Sequence, residues 1–123
     1  MTDAEFDNLI TKAMNELPQE YIKGLDNVAI VIADNPTPDQ HTKMNLDKQH
    51  LLLGLYEGIP LTKRGIGYNF VLPDKITLFK DQIMAISPNN DELFKQIKRT
   101  LWHEIAHYYG LGHDRIDLLQ NKE

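Results

Sequence analysis

The sequence has no cysteine, a single tryptophan and no long apolar run. Without cysteine the chain can form neither a disulfide framework nor a metal site built from thiolates. A helix that crosses a bilayer needs about 20 consecutive apolar residues, and no segment approaches that length, so we expect no membrane partner. The acidic N-terminus also lacks the apolar segment of a signal peptide. These absences together predict a cytoplasmic protein.

The chain also lacks an excess of basic residues. Its net charge is −5 and its pI is near 5.5, which disfavours a nucleic-acid partner. The one basic cluster, Lys95 to Arg99, is interpreted as a solvated helix face. The 123 residues suffice for one domain with its own core, so we expect residues 1–123 to form a single domain. The sequence does not define an oligomeric state.

Hydrophobic periodicity predicts two long helices with strands between them. The first helix covers residues 3–17, with Thr2 and Glu5 as a capping box. The second runs from about residue 91 to residue 109 and ends at Gly110. The strands are predicted within three segments, 27–34, 50–61 and 75–86. This order of elements indicates one α+β domain.

Two connecting segments complete the prediction. Residues 35–50 are polar and hold two prolines, so they are predicted to be an exposed loop. Ser87 and Pro88 are interpreted as the start of the second long helix, with serine as the cap and proline in the first turn.

The second long helix has an apolar stripe and a histidine face. At about 100° per residue, Ile97, Leu101 and Ile105 fall on one stripe. His103 and His107 fall on the opposite side. The helix can therefore pack its stripe on a sheet while both histidines face solvent or a cleft.

The segment HEIAHYYGLGH has the residue types and spacing of a metal site. His103 and His107 lie one turn apart and can converge on one ion. Zinc accepts imidazole nitrogens but prefers four ligands, which two histidines do not complete. Gly110 allows the chain to turn, and His113 then follows as the predicted third ligand. Asp114 is the alternative, either as a ligand or as a carboxylate that orients a histidine.

Glu104 is the predicted catalytic residue. It lies about 80° around the helix from the midpoint of the histidine pair, beside an ion rather than on it. That position suits a general base acting on a zinc-activated water, and three histidines leave an open fourth position for this water. The predicted cofactor is therefore Zn²⁺. Tyr109 and Tyr68 are candidates for an oxyanion donor or for the rim of the site.

Residues 103–113 match H-E-x-x-H-x-x-G-x-x-H, the zinc signature of the metzincin metallopeptidases. The chain departs from metzincins because they carry a methionine turn downstream, whereas all four methionines here lie upstream. It more closely resembles a family of small bacterial zincin-like metallopeptidase domains. That resemblance covers Leu51 to Gly65, Leu72 to Phe79 and Thr100 to Leu111.

This second resemblance implies a minimal zincin fold, with a small mixed sheet of three to four strands, a covering N-terminal helix and a metal-binding helix. It implies His103 and His107 as ligands and Glu104 as the base. It also makes Lys75 to Phe79 a candidate edge strand for holding a peptide, although an ordinary core strand is the alternative. The family usually has an acidic G-L-D-D segment here, so its aspartate is replaced by His113, a good zinc ligand.

The sequence therefore predicts a zinc-dependent hydrolase of the metallopeptidase type, with a peptide or protein as its substrate. The alternative is a metal-binding interaction module with little or no proteolytic activity. Its basis is that only ten residues follow His113, too few for the lower subdomain of a conventional peptidase. A histidine-rich helix face that holds no metal is the remaining alternative.

Overall fold

The computed structural model describes residues 1–43, 52–64 and 73–111. Helices and strands are mixed along these ranges, which confirms the predicted α+β class. In chain order the elements are α1 (Asp3–Glu16), α2 (Gln19–Lys23), β1 (Val28–Ala33), α3 (Pro38–Lys43), β2 (Gly54–Glu57), the 3-10 helix η1 (Leu61–Lys63), β3 (Asp74–Phe79), α4 (Lys80–Ala85) and α5 (Asn90–Tyr109).

The strands form a mixed three-stranded sheet in the order β1-β3-β2. The central strand β3 is parallel to β1 and antiparallel to β2, so that Ile76 lies between Ile30 and Tyr56. Both sides of β3 are therefore hydrogen-bonded, and the expectation that Lys75 to Phe79 is a peptide-binding edge is wrong. That segment is a core strand, and within the part of the chain that the structure describes β2 is the edge strand that packs against α5.

The core lies between the sheet, α1 and α5. The predicted stripe on α5 is confirmed, since Ile97, Leu101 and Ile105 are fully buried. They pack with Phe6 and Ile10 of α1. Burying such side chains stabilises a fold by about 1.5–3 kcal/mol each, so this stripe fixes how α5 lies on the sheet.

Helices α1 and α3 each begin with a capping box. The capping box of Thr2 and Glu5 on α1 is confirmed. Residues 35–50 are predicted as a loop, but their described part contains α3. Thr37 and Gln40 exchange backbone-to-side-chain hydrogen bonds of 2.9 and 3.1 Å, which form a second capping box. Pro38 then occupies the first helical position, where proline is favoured.

Helix α5 begins at Asn90, one residue before the predicted start, but its cap lies two residues after the predicted Ser87. Asn89 is the cap, and its side chain accepts a hydrogen bond of 2.9 Å from the backbone N–H of Glu92. Ser87 does not cap α5, because its hydroxyl donates to the carbonyl of Ile83 at the end of α4. None of the helices in the described ranges is long and apolar enough to cross a membrane.

A buried ion pair fixes the segment that follows β2. Arg64 Nη2 lies 2.5 Å from Asp74 Oδ2, and the Tyr56 hydroxyl donates to the same oxygen at 2.6 Å. Arg64 Nε also donates to the carbonyl of Ile59 at 2.8 Å. Asp74 is 3% exposed, so these bonds are shielded from water. They tie η1 to the beginning of the central strand.

Candidate metal centre and cleft

Helix α5 brings His103, Glu104 and His107 together. Each offers one ligand atom, and these three atoms lie within 4.8 Å of one another. The two imidazole rings meet edge to face, with their centroids 4.8 Å apart. Both histidines are half-buried on the side of α5 opposite its apolar stripe. The i, i+4 spacing on a regular helix thus produces the convergence that a shared ion requires.

Glu104 is buried because strand β2 passes directly over it. The residue is only 6% exposed. A Cβ atom built on Gly54 would lie 2.7 Å from Thr100 Cγ2 and 3.2 Å from Glu104 Cγ. Only glycine allows the strand to approach the helix this closely. The carboxylate is therefore held between β2 and His107, whose Nδ1 lies 3.2 Å from Glu104 Oε1.

The contact with Glu104 shifts the pKa of His107. It raises the pKa of His107 above its ordinary value of 6.5, mainly through the hydrogen bond, while partial burial opposes the shift. If Nδ1–H donates to the carboxylate in the neutral ring, the lone pair is on Nε2. In that tautomer Glu104 would orient His107 so that its Nε2 could bind an ion.

The donor set fits zinc. Imidazole nitrogens are zinc ligands, and the ligand atoms of His103 and His107 lie within 4.8 Å of each other. Two imidazoles do not complete a tetrahedral site, so a further ligand is needed. His113 and Asp114, predicted for that place, lie outside the described residues.

The chain leaves the histidine helix through a glycine turn. Gly110 has φ 73°, in the left-handed region, and its N–H donates to the carbonyl of His107 at 3.0 Å. The N–H of Leu111 donates to the carbonyl of Ala106 at 3.0 Å. Together these bonds form a Schellman motif, which confirms Gly110 as the predicted end of the helix.

Thr62 of η1 packs against this turn. A Cβ atom at Gly110 would collide with the Thr62 side chain. Since η1 is held by the buried pair of Arg64 and Asp74, the exit of the chain from α5 is fixed from outside the helix as well. Gly110 thus serves both the backbone turn and the contact with η1.

A cleft of about 310 Å³ runs beside the histidines. One wall consists of Leu52, Leu53 and Gly54, at and before the start of β2. The other wall is the polar face of α5, formed by Gln96, Arg99, Thr100, His103, Glu104 and His107. The β2 wall was not predicted from the sequence. The signal for it was Gly54, because a glycine inside a strand marks a close backbone approach.

The tyrosine predicted for an oxyanion or rim role at the end of α5 is engaged elsewhere. The Tyr109 hydroxyl donates to the carbonyl of Tyr21 in α2 at 2.6 Å, and the two rings pack edge to face. Tyr109 lies about 200° around the helix from His107, which is nearly the opposite side. We therefore assign it a packing role. Tyr68 lies outside the described residues.

Comparison with known proteins assigns the chain to a family. The sequence profile of the zincin-like metallopeptidase family matches residues 25–122. The chain belongs to this family, which confirms the resemblance to small zincin-like domains. A conserved hypothetical protein from Thermus thermophilus has a similar fold, with a TM-score of 0.56 and 19% identity over 99% of this chain and 100% of that one. No curated protein matches the chain significantly.

Proposed function

We propose that this protein is a zinc-dependent peptidase. His103 and His107 bind the ion, and Glu104 is the general base. The observation that carries the proposal is the convergence of their ligand atoms within 4.8 Å on the wall of a cleft. Membership of the zincin-like metallopeptidase family supports the same reaction class. His113 is the proposed third ligand and Asp114 its alternative, on sequence spacing.

The chain's own residues account for the proton transfers. Zinc bound here would lower the pKa of a water molecule and polarise the substrate carbonyl. Glu104 would accept the proton of the attacking water and later deliver it to the leaving amine. Its burial beneath β2 holds the carboxylate in one place, since the side chain has little room to rotate. Its contact with His107 orients that imidazole.

The edge strand β2 is the proposed place for the substrate backbone. It pairs with β3 on one side and lies beside α5, with the cleft at its start. An extended peptide can add to the edge of a sheet through main-chain hydrogen bonds. A peptide placed in this way would pass the polar face of α5.

The test is the pair of variants Glu104→Gln and Glu92→Gln. Both make the same chemical change on α5, but Glu92 is exposed in the first turn of the helix. Loss of a general base costs about 10²–10⁴-fold, so Glu104→Gln should lose hydrolysis of a peptide library while it keeps bound zinc. Glu92→Gln should match the parent.

Hydrolysis at the parental rate by Glu104→Gln would refute the assignment of the base. Bound zinc without any cleavage by the parent would instead favour the metal-binding interaction module.

A further inference from the structure

The side chain of Thr100 lies in the wall of the cleft, one turn before the proposed base. The residue is 6% exposed and lines the cleft together with Gln96 and Glu104. Its methyl group is directed to β2, since a Cβ atom at Gly54 would lie 2.7 Å from Thr100 Cγ2. Its hydroxyl is directed to Gln96, whose Nε2 donates to Thr100 Oγ1 at 3.1 Å. The packing of the methyl group on β2 therefore holds the hydroxyl on the side of Gln96.

The side-chain amide of Gln96 makes the Thr100 hydroxyl an acceptor within the wall. Arg99 Nη1 lies 3.5 Å from Gln96 Oε1. Because a guanidinium has only donors, the amide oxygen faces Arg99 and the amide nitrogen faces Thr100. A hydroxyl has two lone pairs and one hydrogen to donate. Since the amide nitrogen uses a lone pair, the hydrogen of the Thr100 hydroxyl is left for another acceptor.

Other threonines on the helices of this protein donate to their own backbone. Thr11 donates to the carbonyl of Asp7 at 3.2 Å and Thr42 to that of Pro38 at 2.8 Å, in each case four residues earlier. Thr100 makes no such bond, and no acceptor for its hydrogen occurs among the residues that the structure describes. It is also the one hydroxyl among the described residues that line the cleft. Because a buried donor without an acceptor is unfavourable, this hydroxyl is suited to bind an acceptor that enters the cleft.

We infer that the Thr100 hydroxyl donates a hydrogen bond to a main-chain carbonyl of the peptide that lies in this cleft. The inference rests on the proposed function for the presence of a peptide. Thr100 precedes His103 by three residues, a rise of about 4.5 Å along the helix, and an extended peptide rises about 3.3 Å per residue. The carbonyl therefore belongs to a residue within about two positions of the reacting bond. Every residue has a main-chain carbonyl, so this contact recognises the peptide backbone and selects no side chain.

Small changes in the peptide and in the side chain test this without hydrolysis. The probes are acetylated and amidated hexapeptides of alanine and leucine in which each carbonyl oxygen in turn is replaced by sulfur, a weaker acceptor. Affinities are measured by calorimetry with zinc-loaded Glu104→Gln protein, alone and combined with Thr100→Val or Thr100→Ser. Valine keeps the methyl group that faces Gly54 and removes the hydroxyl, whereas serine keeps the hydroxyl. Thr11→Val makes the same chemical change on α1 and is the matched control.

We expect Thr100→Val to weaken binding of the all-oxygen peptide by about three- to tenfold, the effect of losing one hydrogen bond. At one position of the scan, sulfur should weaken binding to the Glu104→Gln protein by up to the same factor. It should have no further effect at that position with Thr100→Val, because the hydrogen bond is already absent. Thr100→Ser should retain the position-specific loss, and Thr11→Val should retain both the affinity and the loss.

Undiminished affinity with Thr100→Val would overturn the inference, as would the absence of binding by every peptide. A role in packing alone would also overturn it, and it would be seen as an equal loss for all peptides with the pattern of sulfur effects unchanged by Thr100→Val. The outcome is separable from that of the proposed function. Hydrolysis by zinc-loaded protein that is unchanged by Thr100→Val retains the peptidase assignment alone, whereas Thr100-dependent binding without hydrolysis by the parent retains only the carbonyl contact.

Discussion

The backbone of Gly54 lies against the side chain of Glu104, so closely that a Cβ atom would come within 3.2 Å of Glu104 Cγ and within 2.7 Å of the neighbouring Thr100 Cγ2. The edge strand and the proposed base are therefore in direct contact. A methyl group at residue 54 would displace β2 or the Thr100 side chain, and it would also press on the Glu104 side chain. The position of the proposed general base thus depends on a residue without a side chain, Gly54.

Gly54→Ala should lower activity more than its loss of stability explains. Overpacking costs about 1–3 kcal/mol, and here the new methyl group would clash with Thr100 and press on Glu104, so we expect the carboxylate to shift. Gly24→Ala is the matched control, because its methyl group would meet the Tyr109 hydroxyl instead. Peptide hydrolysis and thermal melting should be measured for both variants at a temperature where each is folded. Equal activity of the two variants would show that Glu104 does not depend on Gly54.

Zinc should stabilise the folded protein through His103 and His107. A ligand at about 100 times its Kd adds about 2.7 kcal/mol, which corresponds to an increase of about 10 °C in Tm for a chain of this size. His103→Ala or His107→Ala should abolish the zinc-dependent shift, and a chelator should reverse it in the parent. His41→Ala on α3 is the control and should retain it. A zinc-dependent shift of parental size in the double variant of His103 and His107 would place the ion elsewhere.

The metal-free protein should lose stability as the pH rises through the folded-state pKa of His107. Because the folded pKa is raised above 6.5, the stabilising contact of protonated His107 with Glu104 is fully present below that value and declines above it. Glu104→Gln removes the main cause of the shift. The Tm of the chelator-treated parent minus the Tm of this variant should therefore decrease as the pH rises from about pH 6 to about pH 9. A difference that is constant with pH would contradict the coupling.

Gly110→Ala should destabilise the protein for two separable reasons. A residue with a Cβ in the left-handed region costs about 1–2 kcal/mol, and the new methyl group would also collide with Thr62. Thr62→Ala should relieve only the collision. Chemical denaturation of the two single variants and the double variant should therefore show a favourable coupling between the substitutions. If the changes in the free energy of unfolding were strictly additive, η1 would move aside without cost.

Local sequence patterns predicted the helix that carries the site. They did not predict which strands, distant in the sequence, pair with each other. Periodicity defined the stripe of Ile97, Leu101 and Ile105, and Gly110 marked its end. The segment Lys75 to Phe79 looked equally suitable as an edge or a core strand, because alternation of side chains does not specify which strands lie on either side. Only the assembled order β1-β3-β2 decides this.

Errors at the ends of elements arose from competition between neighbouring capping groups. Ser87 and Asn89 are both good caps, and the choice depends on the carbonyl of Ile83 that Ser87 reaches. The two prolines before and in α3 led to the prediction of a loop, although Thr37 and Gln40 form a capping box that begins a helix. In the site, convergence of His103 and His107 follows from helix geometry alone. The burial of Glu104 does not, since it depends on β2, a strand some 50 positions away in the sequence.

The buried stripe of α5 has a consequence for how an ion would be bound. The helix cannot turn about its own axis without exposing Ile97, Leu101 and Ile105 to water, so the azimuth of both imidazoles relative to the sheet is set when the core forms. Much of the ordering entropy that a flexible pair of ligands would lose on binding is thereby lost during folding instead. The hydrophobic core would thus preorganise the two proposed metal ligands from the far side of the helix.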